Sequence, residues 1–120
     1  MRYIVLLKAA QTSTPPPDGL MEGIAQLGEE TAKSGALLDT AGLAPSAAGA
    51  RVAVKSGDLS VTDGPFTEAK EMISYALWEV SSKEEAIEWT SRFMKLHRDL
   101  WDGWEGEADV LQVFDAPPTA

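Results

Sequence analysis

No cysteine occurs in the chain, which excludes disulfides and thiolate chemistry outright. Histidine is almost as scarce: His97 is the only one, so neither a His-rich metal site nor a histidine pair can be built within the chain. Cations are missing from the C-terminal end. After Arg98 there is no Lys or Arg, while Asp99, Asp102, Glu105, Glu107, Asp109 and Asp115 follow. The formal net charge of -9 opposes non-specific binding to nucleic acid or to anionic lipid, and neither is expected as a partner. Long hydrophobic runs are absent too. The apolar residues 3–7 give way at once to Lys8, too short a stretch for a membrane span or a signal segment, which predicts a cytoplasmic protein. There is no P-loop, dinucleotide fingerprint, nucleophile elbow or metal-ligand spacing, so no cofactor or metal is expected.

What remains is an ordinary globular composition: 120 residues, 44% hydrophobic, with four Trp, enough for one core. Residues 2–8 are β-branched and apolar, a buried strand. Thr12-Ser13-Thr14-Pro15-Pro16-Pro17 is a stiff linker. Asp18 then caps a helix whose inward face carries Leu20, Ile24, Leu27 and Thr31, ended by Lys33-Ser34-Gly35. Gly23 and Gly28 weaken that helix by about 1 kcal/mol each relative to Ala, tolerable where it lies close against a sheet.

Residues 36–39 read as a strand, and residues 51–62 as a β-hairpin turning at Ser56-Gly57-Asp58. Residues 73–80 form another strand. Ser81 and Ser82, each three residues before a Glu, predict a capping box that opens a second helix, with Ala86, Trp89, Thr90, Phe93, Leu96 and Leu100 inward. Residues 108–114 alternate as a last strand, residues 1–115 make the single domain, and 116–120 are expected to be a flexible tail.

This order predicts an α+β domain: a ferredoxin-like antiparallel sheet with two helices on one face. Such a sheet leaves its other face apolar, and a second copy packed face to face would cover it, giving a homodimeric α+β barrel.

Between hairpin and fourth long strand lies the most distinctive stretch, residues 63–71, Asp-Gly-Pro-Phe-Thr-Glu-Ala-Lys-Glu. It resembles the signature of YCII-related proteins of the DGPF type. The likeness extends to residues 1–9, 35–39, 82–89 and 104–107 in the same order. The resemblance implies the same dimeric α+β barrel and little about function. It also exposes departures. The YCII-like histidine thought to pair with an Asp falls near Gly23 and Ile24 here, Leu111 stands where many relatives carry Arg, and Ser74 where glycines are common.

Two roles fit Asp63. As a carboxylate at a strand end, desolvated by Phe66 and Tyr75, it would serve as a catalytic acid or base. As an Asx turn, it would bond the backbone of Phe66 or Thr67 and hold the loop. Lys70 and Glu71 would bind a substrate carboxylate or orient Asp63, or else Glu68 and Lys70 form a solvated face. Arg51 offers a cation to an anionic ligand, or pairs with a surface acid. His97 faces partly inward, either packed or catalytic. Trp101 and Trp104 are the tryptophans placed to touch a partner subunit or ligand.

Three functions follow: a dimeric small-molecule binder with its cleft near residues 63–66; a cofactor-free lyase, isomerase or hydrolase using Asp63; or an interaction module working through the acidic surface.

Overall fold

The computed structural model describes residues 1–114. Asp115 and the expected tail at 116–120 lie outside the described residues. The chain runs β1 (Arg2–Ala9), α1 (Asp18–Ser34), β2 (Leu37–Gly42), a 3-10 turn at Ser46–Ala48, β3 (Ala50–Lys55), β4 (Asp58–Asp63), β5 (Glu71–Glu79), α2 (Lys83–Leu100) and β6 (Gly106–Gln112). Four strands make one antiparallel sheet in the order β2-β5-β1-β6. The hairpin β3–β4 is not hydrogen-bonded to it and forms a two-stranded sheet of its own. This is the α+β class that the element order predicts.

The core follows from the period of a strand. On β1, Tyr3, Val5, Leu7 and Ala9 are buried, while Arg2, Ile4, Leu6 and Lys8 are half-buried on the opposite face. The first set meets both helices. Tyr3, Val5, Ala36, Trp78, Val80 and Ala86 are the buried centre, and Trp78 stacks on Trp89 with ring centroids 5.9 Å apart.

Both helices start and stop for local reasons. Ser82 caps α2 by accepting the Glu85 N–H at 3.1 Å, and the Glu85 carboxylate reaches back to the Ser81 N–H at 2.8 Å. That exchange is the capping box expected there. The Glu85 carboxyl is held below its ordinary range by those Ser81 hydrogen bonds, so the cap survives mild acid. The expected cap at α1 is corrected. Pro17 occupies the N-cap position with extended backbone, and Asp18 is the first helical residue, with no side-chain cap bond. Pro17 fixes the entry, and Asp18 helps only as a negative charge near the helix N-terminus.

Gly23 lies against the second helix rather than the sheet. A Cβ there would come within 3.1 Å of Leu96 Cδ2, so its small size lets α1 and α2 approach. Among the described residues no helix is long and apolar enough to cross a membrane.

Candidate functional site

The signature loop is held by a clamp that begins at Ser46. The Ser46 hydroxyl donates to Glu71 Oε1 at 2.7 Å and accepts the Phe66 N–H at 2.9 Å. The Ser46 N–H also donates to Glu71 Oε1, at 3.3 Å. Glu71 thus secures the loop instead of orienting Asp63. Gly64 donates its N–H to Gly49 O at 2.9 Å and lies so close that an added Cβ would sit 1.7 Å from the Ser46 carbonyl oxygen. The Gly64–Pro65 peptide is cis.

Around this clamp runs an open polar cleft of about 500 Å³, lined by Lys8, Arg51, Phe66, Glu68, Lys70 and Glu71 among others. Its cations are all engaged. Arg51 pairs with Glu68 at 2.8 Å and lies 4.0 Å over the Phe66 ring. Lys70 pairs with Glu107 at 3.1 Å, and Lys8 with Asp109 at 2.7 Å. The Arg51 guanidinium helps hold the Glu68 carboxyl below its ordinary range, after a larger contribution from a backbone hydrogen bond. Exposed pairs of this kind stabilise little, yet they leave no unpaired guanidinium or ammonium in the cleft for an anion.

Asp63 is the last residue of β4, paired with Ala50 and exposed, and it does not line that cleft. Asp63 is thus exposed in the single chain rather than desolvated by Phe66 and Tyr75. Phe66 is under Arg51, and the Tyr75 hydroxyl donates to Asp39 Oδ2 at 2.8 Å, away on β5 and β2. The Asx turn onto Phe66 is not formed either, because Ser46 takes that N–H. Of the candidates, Arg51, Phe66, Lys70 and Glu71 come together; Asp63, Tyr75 and His97 stand apart.

His97 belongs to a second hollow, between the sheet and the helices. An inner chamber of about 100 Å³ is lined by Val5, Leu27, Thr31, Ala76, Trp78 and Thr90 among others. An outer one of about 650 Å³ is lined by Leu20, Met21, Pro45, His97, Trp101 and Trp104 among others. Leu7, Ile24, Thr40, Ser74 and Phe93 line both, so the two adjoin. Pro45 also lines the polar cleft, so the outer chamber reaches the signature loop's neighbourhood.

His97 is 5% exposed. Its Nδ1 lies 3.0 Å from the Phe93 carbonyl oxygen, which only accepts, so Nδ1 carries the proton and Nε2 is the free lone pair of the neutral ring. The ring meets Phe93 edge-on at 4.7 Å and Trp104 at 4.5 Å. Trp104 in turn lies over Gly106, where a Cβ would come within 2.4 Å of its ring.

Burial holds the His97 imidazole below its ordinary value near 6.5, against an opposing contribution from the Phe93 hydrogen bond. The folded state thus favours the neutral ring. Its stabilising contribution is complete above pH 6.5 and is lost as pH falls from there through the lower folded value. Between pH 7 and pH 5 the unfolding free energy of the wild type is expected to fall, and His97→Gln is expected to flatten that slope in urea titrations. The carboxylates held low, Glu30, Glu68, Glu85 and Asp99, lose their contributions only in more acid solution.

Sequence reasoning gave no role to Ser46 and Thr40 and marked Ser74 only as a departure from relatives; their placement depends on distant partners. Among the described residues no group of three or more His, Cys, Asp or Glu is placed to hold a metal. Compared with known families, residues 1–100 match the model of the YCII-related domain. No curated protein matches the chain.

Proposed function

The chain belongs to the YCII-related family, and we propose that it works as a homodimer that binds a small molecule in the hollow between sheet and helices. The observation that carries this reading is the pair of adjoining chambers between sheet and helices, with His97 buried beside them. Ligand sites are concave, mainly apolar and furnished with few polar groups, and this hollow fits that description better than the polar cleft beside Arg51 does. Trp101 and Trp104 line the outer chamber, their ring centroids 6.2 Å apart and the planes stacked.

For the dimer, the support is the helix-free face. Leu77, Ile4 and Leu111 run in a row across β5, β1 and β6, and Leu6 lies beside them. Lys8, Glu79, Glu107 and Asp109 flank them on the same face. We read the sheet as ferredoxin-like and two such faces as the inside of a dimeric α+β barrel.

The binding reading is tested by a fragment screen followed by two-dimensional NMR. Hits are expected to shift the indole signals of Trp101 and Trp104 and the ring of His97. Ser74→Leu, which adds bulk where the chambers meet, is expected to weaken those hits at least tenfold while the fold persists by circular dichroism. Asp63→Asn is expected to leave them unchanged. Hits that shift only Arg51, Phe66 and Lys70, or that need Asp63, would move the site to the signature cleft.

A further inference from the structure

The lining of the hollow is unusual in what it omits. Of this chain's residues 24% are charged, yet no Asp, Glu, Lys or Arg lines either chamber. A charged ligand would leave water and find no counter-charge, at a cost that apolar walls cannot offset. The chambers also differ in size. An apolar cavity of about 150 Å³ takes one benzene ring. The inner chamber, at about 100 Å³, therefore holds at most a ring-sized end of a molecule. The rest must lie in the outer chamber, across the residues that both share.

One of the shared residues carries an uncommitted hydroxyl. Thr31 donates to Gly28 O at 3.0 Å, Thr40 to Tyr75 O at 2.8 Å, and Thr90 to Ala86 O at 2.8 Å. Ser74 makes no such bond to any group of the described chain. It pairs with Leu7 of β1, on the face turned to the helices, beside Ile73, the extra residue of a bulge in the β1–β5 ladder. Bulges re-aim neighbouring side chains and recur beside active sites. Nor is the hydroxyl sealed in: among the described residues, Trp78 Nε1 is the one buried side-chain nitrogen or oxygen without a partner. Ser74 Oγ thus opens onto the hollow, with one O–H to donate and two lone pairs to accept. The Trp78 N–H is closed off and takes no part.

Resting on the binding reading, we infer that the ligand is an uncharged molecule whose apolar end fills the inner chamber and whose carbonyl or hydroxyl oxygen hydrogen-bonds Ser74 Oγ where the chambers meet. The depth of the inner chamber sets how far the oxygen lies from that end. Selectivity comes from the junction: an analogue without the oxygen leaves the serine unmatched, and one with a carboxylate adds an uncompensated charge.

Four probes of similar shape separate these terms: acetophenone, 1-phenylethanol, α-methylstyrene, in which a methylene replaces the carbonyl oxygen, and benzoate. Affinities for the full chain are measured by NMR titration of the wild type and of Ser74→Ala. That variant removes one oxygen and no hydrogen bond of the fold, so it is expected to fold as the wild type does. On Ser74→Ala, at least one of the two oxygen-bearing probes is expected to lose roughly tenfold in affinity, and α-methylstyrene less than about twofold. Which of the two loses it tells carbonyl from hydroxyl. Benzoate is expected to bind the wild type at least roughly tenfold more weakly than acetophenone. On the wild type alone, nuclear Overhauser contacts are expected from the acetophenone ring to the methyls of Val5 and Leu27, and from its methyl group to the Ser74 β-protons. These contacts decide the matter even if the variant fails to fold.

Unchanged affinities on Ser74→Ala, an equal loss for α-methylstyrene, a bound ring away from Val5 and Leu27, or preference for benzoate would overturn the inference. So would failure of all four probes while a fragment screen still finds hits in the hollow, which would remain a binding site of other chemistry. Failure of all four together with a screen that finds no hit there would overturn the binding reading as well.

Discussion

Gly64→Ala is expected to destabilise the protein by about 3 kcal/mol or more, in the upper range for a single substitution. The reason is the approach of two backbones. A Cβ at position 64 would stand 1.7 Å from the Ser46 carbonyl oxygen and 2.5 Å from its carbon, atoms that no rotamer change can move. Relief requires the signature loop and the 3-10 turn to separate. Separation would break the Gly64 N–H bond to Gly49 O and the Phe66 N–H bond to Ser46 Oγ, each contributing about 1 kcal/mol. It would also leave the Glu71 carboxylate, half-buried, without the Ser46 hydroxyl. Gly28→Ala is the control. Nothing lies within 4 Å of a Cβ there, and the helix interior should gain about 1 kcal/mol. Urea unfolding of both variants checks the pair. A loss under about 1 kcal/mol at Gly64 would mean that the close approach is not a feature of the folded protein.

That glycine shows where sequence reading succeeds and where it stops. Asp63-Gly64-Pro65 is legible as a turn from residue chemistry alone. The need for Gly at 64 comes from Ser46, eighteen positions earlier, and no local pattern announces it. The first strand and the Ser81, Ser82 and Glu85 cap were legible because both are governed by neighbours within a few residues, although the strand proves buried on one face only. The cap at Asp18 was misplaced by one position because Pro17 competes for it and wins by its fixed φ. The site suffers most from this limit. Arg51, Phe66, Lys70 and Glu71 do converge, but Glu71 works on Ser46, and the ion pairs to Glu68 and Glu107 consume the cations. The hollow beside His97 depends on how two helices sit on a sheet, and an unmatched indole N–H at Trp78 has no sequence signature at all.

The wild type is expected to have a solution mass twice the 12.9 kDa of one chain, and Ile4→Glu is expected to reduce it to a single chain. Ile4 stands on a central strand of the helix-free face, flanked across the ladders by Leu77 and Leu111. In a lone subunit a glutamate there would extend into water at modest cost. Between two sheets related by a two-fold axis it would place two carboxylates in an apolar layer, each bearing several kcal/mol of desolvation and repelling the other. Ile87→Glu, on an exposed position of α2, is expected to leave the mass unchanged. The hairpin offers the one rival surface of note among the described residues. Val52 is opposite Val61 and Val54 opposite Leu59, and all four are exposed. Light scattering on Val54→Glu decides between them. Dissociation by Val54→Glu but not by Ile4→Glu would put the interface on the hairpin, and the face-to-face barrel would fall. A wild type that stays at 12.9 kDa up to high concentration would remove both.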